Sequence, residues 1–214
     1  MVKERKFSKI IAACLAGTAA TIGYAALVRP RILGWGATYE EINASMPGDE
    51  FVTLVLTQTT RAIDILAPRD KAWSWVVQIG QGRGGFYSYD WLENIFGMDI
   101  HNADHILPEH QNLGAGDLIP FWDEVGVTVR QVSPPELLVL AGSFDPKSDT
   151  VGGSWTFLLK EISPSRCRLI VRAKIAAFPP RWLSRFFSFK LLEPAHFVME
   201  RGMLLGIKQR AEMA

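Results

Sequence analysis

A run of strand-like segments that ends in one long helical stripe constrains this chain more than any other feature. Leu118–Trp122, Val125–Val132, Leu137–Ser143, Ser154–Ile162 and Cys167–Ile175 are rich in β-branched, leucine or aromatic residues, and Gly, Pro, Asp and Ser turns separate them. In Cys167–Ile175, Leu169, Val171, Ala173 and Ile175 fall on one face and Arg168, Arg172 and Lys174 on the other. That alternation predicts one buried and one wet face. Trp155, Phe157 and Leu159 likewise share a face. After Pro194, residues Phe197, Glu200, Met203, Leu204 and Ile207 lie along one stripe of a helix reaching about Ala211. Strands joined by short turns pair antiparallel, and an apolar sheet face needs a cover. The terminal helix is the element long enough to provide it, so the class is α+β. A bent sheet with inward aromatics, closed by one helix, leaves room for a cavity lined by Trp155, Phe157 and Met203.

Upstream, Thr57–Leu66 alternates as a strand, with Ile63 and Ile65 on one face. Pro68 stands at the first position of a short helix that carries Trp73, Val76 and Val77. A glycine-rich loop, 80–86, leads to a second short helix, Trp91–Phe96, for which Asp90 and Glu93 have capping-box spacing. Residues 29–56 contain Pro30, Gly34, Gly36, Pro47 and Gly48 without a long periodic segment, which predicts a linker or wrapping arm. The main α+β domain is expected over 57–214.

The N-terminus carries a different signal. Ile10 to Val28 is free of charge, and a helix of that length spans roughly 28 Å, close to a bilayer's hydrocarbon core. Lys3, Arg5, Lys6 and Lys9 precede it, so residues 1–28 are expected to form a transmembrane anchor with Met1 in the cytoplasm and the main domain on the extracytoplasmic side. A cleaved signal peptide is the alternative, since Gly23-Tyr24-Ala25 places small residues where a signal peptidase reads.

Composition excludes several classes. With 48% hydrophobic residues and two cysteines, Cys14 and Cys167, the chain is neither disordered nor built on disulfides. A net charge of +1 gives no general attraction to nucleic acid, but the charge is uneven. Residues 166–214 hold ten basic and three acidic groups, whereas 37–165 carry a net −11. The block Gly80-Gln81-Gly82-Arg83-Gly84-Gly85 follows a helix and lacks Gly-Lys-Ser/Thr, so it is a tight turn, not a phosphate loop. His101, Asp104, His105, Glu109 and His110 crowd one stretch without metal-site spacing, and no metal is expected. No Gly-x-Ser-x-Gly elbow marks a nucleophile, and no cofactor is expected.

Several motifs together resemble a known family. Trp35-Gly36-Ala37-Thr38, Pro47-Gly48-Asp49, Trp75 to Gly80, Gly82-Arg83-Gly84-Gly85-Phe86-Tyr87-Ser88-Tyr89-Asp90-Trp91-Leu92-Glu93, Asp99-Ile100-His101, Gly116-Asp117 and Met199 to Lys208 are similar to the SRPBCC, START-like group, often labelled polyketide cyclase/dehydrase and lipid-transport-like. The resemblance covers roughly 35–212. It implies a helix-grip fold, an antiparallel sheet wrapped around a long C-terminal helix, here preceded by an N-terminal hydrophobic helix, with an apolar cavity inside. The family's activities vary, so the fold alone does not assign one.

On this frame Arg83, Tyr87, Tyr89 and Trp91 are candidates for the cavity mouth, with Arg83 recognising an anionic or carbonyl head group. Glu200 is the odd charge on the apolar stripe, with Arg201 or Arg172 as expected partners. In Arg181–Leu192, Arg181, Ser184, Arg185 and Ser188 share a stripe, and Trp182, Leu183, Phe186 and Phe187 fall elsewhere. Trp182, Arg185, Phe186 and Phe187 are therefore expected to form a membrane-facing lid; an amphipathic helix that closes the core is the alternative. The leading expectation is a membrane-tethered protein that binds a hydrophobic small molecule or lipid. A cyclase or dehydratase acting on a polyketide-like substrate, and an interaction module with a filled core, are the rivals.

Overall fold

A computed structural model describes residues 17–19, 21–95, 97–122, 125–143, 150–177 and 180–213. The strands Val55–Ile65 (β1), Leu118–Trp122 (β2), Val125–Ser133 (β3), Leu137–Gly142 (β4), Gly153–Ser163 (β5) and Arg166–Ala176 (β6) form one antiparallel sheet in the order β1-β6-β5-β4-β3-β2. The short helices Arg29–Leu33 (α1), Tyr39–Asn43 (α2), Arg69–Val77 (α3), Asp90–Ile95 (α4) and Arg181–Phe187 (α5) surround it. The chain then makes a wider helical turn over Ser188–Leu192 and enters the long helix Glu193–Met213 (α6). A six-stranded antiparallel sheet with one long C-terminal helix is the helix-grip arrangement.

Side-chain alternation sets the sheet's inner face. Leu169, Val171, Phe157, Leu159, Leu138 and Leu140 are buried there, and Met203, Leu204, Ile207 and Ala211 of α6 join the same core. Gly206 lets α6 approach the loop before α4, because a Cβ at that position would lie 2.1 Å from the Tyr87 carbonyl oxygen. Tyr87 takes a positive φ of 58° at this contact, and Asn102 Oδ1 accepts from its N–H at 2.6 Å.

The outer face departs from expectation. Arg172, predicted to be wet, is buried. Residues 34–52 fold across the outer side of β1, β6 and β5, and their irregular backbone leaves carbonyls without ladder partners. Arg172 donates to the carbonyls of Glu41, Ile42 and Ala44, to Asp49 and to Thr60 Oγ1. A guanidinium, with five donors and no acceptor, suits that role. Thr38 and Glu41 form the capping box that starts α2.

The N-terminal expectation is corrected. Among the described residues no helix is long and apolar enough to cross a membrane, so the anchor, the N-terminal hydrophobic helix and the single-pass location derived from them are not supported. Residues 1–16 and 20 of that stretch lie outside the described residues. In the rest, a wider turn spans Tyr24–Val28, and the chain is bound to the domain. The Tyr24 ring meets Phe189 edge-on at 4.9 Å, and Arg29 donates to both oxygens of Glu193 at 2.7 and 2.9 Å. Arg29, next after the charge-free stretch, is thus spent on a buried carboxylate.

Candidate functional site

Between the sheet and α6 lies a cavity of about 370 Å³, within the size range of small-molecule sites. Phe86, Met98, Phe121, Val127, Trp155 and Met203 supply most of its apolar lining. Phe86, Phe121 and Trp155 are mutually close, with centroids 5.4 to 6.3 Å apart. Trp155 is held from behind by Phe157, centroid to centroid 4.6 Å. Phe121 and Trp155 stand on β2 and β5, Phe86 on the loop before α4, and Met199 and Met203 line the cavity from α6.

Polar groups enter this lining at a few points. Glu200 of α6 is buried and paired with Arg61 of β1, which is itself fully buried. Trp155 Nε1–H donates to Glu200 Oε1 at 2.9 Å. His196, one turn earlier, places Nδ1 at 3.1 Å from Arg61 Nη1 and Nε2 at 3.5 Å from Glu200 Oε1. An arginine can only donate, so Nδ1 accepts and the ring proton sits on Nε2, facing Glu200. Burial lowers the pKa of His196, and the neighbouring Arg61 acts the same way, against the pull of Glu200. The ring is therefore neutral near pH 7. Lys174 also lines the cavity, but its ammonium is held by Asp49 Oδ1 at 2.9 Å.

On the opposite flank, Ser88 and Glu93 line the cavity together, and Ser88 Oγ donates to Glu93 Oε1 at 2.6 Å. Glu93 forms no capping box. Asp90 accepts from the N–H of Trp91, and Glu93 turns inward. Burial pushes its carboxyl pKa up, the Ser88 hydrogen bond opposes this, and the charge of Asp90 adds to the rise.

Of the residues singled out in the sequence, Trp155, Glu200 and Met203 meet at the cavity, with Phe157 directly behind. Arg83 does not reach it. Its guanidinium donates to the carbonyls of Val77, Ile79 and His110 and staples the glycine-rich turn, because that turn has no ladder to satisfy its neighbours. Tyr87 is buried with its hydroxyl donating to the Trp75 carbonyl at 3.1 Å, and burial drives its pKa far up. Tyr89 packs beside Gly202, and Trp91 is exposed on α4. The partner of Glu200 is Arg61, not Arg201 or Arg172: Arg201 lies over the Trp35 ring and Arg172 serves the outer face.

Arg61, His196, Ser88 and Glu93 were missed as site residues. Two had a legible signal. Arg61 shares its strand face with Ile63 and Ile65, and His196 precedes Glu200 by one helical turn. In the predicted lid, Trp182, Arg185, Phe186 and Phe187 are exposed on α5, and Ser184 and Ser188 are buried. The wider turn after α5 contributes Leu192 to the cavity lining. His101 and His105 are exposed beside Asp99 and Asp104, and among the described residues no group of three His, Cys, Asp or Glu side chains could hold a metal ion.

No known family profile matches the chain, and no curated protein matches it. Solved structures do. A hypothetical protein from Helicobacter pylori is 12% identical, with 79% of this chain and 96% of that chain covered and a TM-score of 0.48. A conserved protein of unknown function from Enterococcus faecalis is 15% identical over 72% of this chain and 71% of that one, with a TM-score of 0.41. A polyketide-cyclase-like protein from Corynebacterium glutamicum is 14% identical over 74% and 92%, with a TM-score of 0.36. By its strand order, antiparallel pairing and terminal helix the chain has a helix-grip architecture.

Proposed function

We propose that this domain binds a hydrophobic small molecule or lipid in the cavity between the sheet and α6. The observation that carries the reading is the cavity itself, an apolar space of about 370 Å³ walled by aromatic and methionine side chains. Burying a ligand there gains roughly 25 cal/mol per Å² of apolar surface, so a lipophile needs few polar contacts. Of the acid–base groups that the sequence offers a cyclase, Tyr87 is bonded to the Trp75 carbonyl, Arg83 to three carbonyls and Glu200 to Arg61. This supports binding over catalysis. A core without such a space would have favoured the interaction module. The reading extends to α5, whose Trp182, Phe186 and Phe187, with Arg185 beside them, suit contact with an anionic lipid surface from which such a ligand is drawn.

Organic extraction of the purified full chain followed by mass spectrometry is the test. A co-purifying lipophile at near one per chain is expected, together with its loss in Met203→Trp, which fills the cavity. A folded chain that carries no lipophile and binds no hydrophobic fluorophore saturably overturns the reading.

A further inference from the structure

Among the described residues, every charged group that lines the cavity is spoken for, with one exception. Glu200 receives Arg61 and Trp155, His196 is held between Arg61 and Glu200, and Lys174 is bound by Asp49. Glu93 receives Ser88 on Oε1, but its Oε2 is buried and finds no hydrogen-bond partner among the described residues. The residue is 6% exposed, and it lines the cavity. An unsatisfied buried carboxylate oxygen carries the full desolvation cost of a polar group, so a site that keeps one gains when a ligand fills it.

We infer that Glu93, positioned by Ser88, is the polar anchor of the cavity and that the ligand is a lipophile bearing a hydrogen-bond donor, such as an alcohol or phenol. This rests on the cavity being a binding site. The donor of the ligand bonds Glu93 Oε2 while its hydrocarbon body lies against Phe86, Phe121, Trp155 and Met203. Ser88 occupies Oε1, which leaves Oε2 as the acceptor without a partner. The rise in the Glu93 pKa through burial agrees with a carboxyl that has little water about it.

The test uses two probes of nearly equal apolar surface, decan-1-ol and decyl methyl ether, which displace a bound hydrophobic fluorophore from the full chain. The parent protein is expected to prefer the alcohol by roughly tenfold to a hundredfold, the worth of one hydrogen bond to a charged group. Glu93→Met is expected to keep the ether affinity and lose the preference; Glu93→Gln, which retains an acceptor, is expected to keep part of it. Equal binding of both probes by the parent protein, or a preference that survives in Glu93→Met, overturns the assignment of Glu93 and leaves the cavity reading standing. Binding of neither probe overturns the cavity reading and this inference with it.

Discussion

Arg61 and Glu200 show how a charge on an apolar face is made tolerable. Glu200 sits on the apolar stripe of α6 and Arg61 between Thr59 and Ile63 on one face of β1, and each is buried. Arg61 donates to Glu200, to His196 and to the Ile32 carbonyl, but its Nη2 finds no partner among the described residues. The pair is therefore not ideal, and its members depend on each other. Glu200→Leu is expected to destabilise the fold by about 3–5 kcal/mol, because the arginine is left buried and uncompensated. Arg61→Met together with Glu200→Leu is expected to recover most of that loss. Denaturant unfolding of the two single variants and the double variant measures the coupling; additive losses would contradict an interdependent pair. At this scale the sequence was half legible. The out-of-place Glu200 could be seen, but its partner lies 139 positions away on a strand, and only the fold brings the two together.

Among the elements, α5 inverts the usual helix. Ser184 and Ser188 point inward, with Ser188 donating to Glu193 at 3.2 Å, and the aromatics face out. A polar inner stripe leaves Trp182, Phe186 and Phe187 on the exposed side. The Phe186→Ser, Phe187→Ser double variant of the full chain is expected to lose at least tenfold in binding to vesicles containing phosphatidylglycerol, since each ring contributes roughly 1.5–3 kcal/mol when fully buried. Co-sedimentation at low salt checks this, and unchanged binding would remove α5 from the reading. The helix was visible in the sequence through its spacing. The glycine-rich turn is where the sequence expects it, but Arg83, expected at the cavity mouth, is claimed by three backbone carbonyls. Spacing locates a turn but not the direction of a long side chain.

Across the whole molecule, ion pairs hold the N-terminal arm to the sheet and to α6. Arg168 donates to Glu41 and Asp64, and these bonds hold both carboxyls below their usual range. Burial alone would raise Asp49 and Glu193, but hydrogen bonds outweigh it: Met46 N–H and Lys174 at Asp49, Arg29 and Thr57 at Glu193. A carboxyl with a lowered folded-state pKa contributes stability that is present above its unfolded value, about 4, and is lost as pH falls through the folded one. Acid should therefore loosen the arm. Arg168→Met is expected to lower the thermal midpoint at pH 7 and to flatten the fall in stability below about pH 4, read by circular dichroism across pH. An unaltered acid limb would place the effect on other carboxylates. Alternation and helical spacing by themselves determine the α+β class, the antiparallel run and the terminal helix, because those depend on residues close in sequence. Only the tertiary structure decided that residues 34–52 cover the supposedly wet face, that Arg29 serves Glu193, and that Glu93 lines a cavity. Each of these turns on how distant segments stack, and local periodicity carries no record of that.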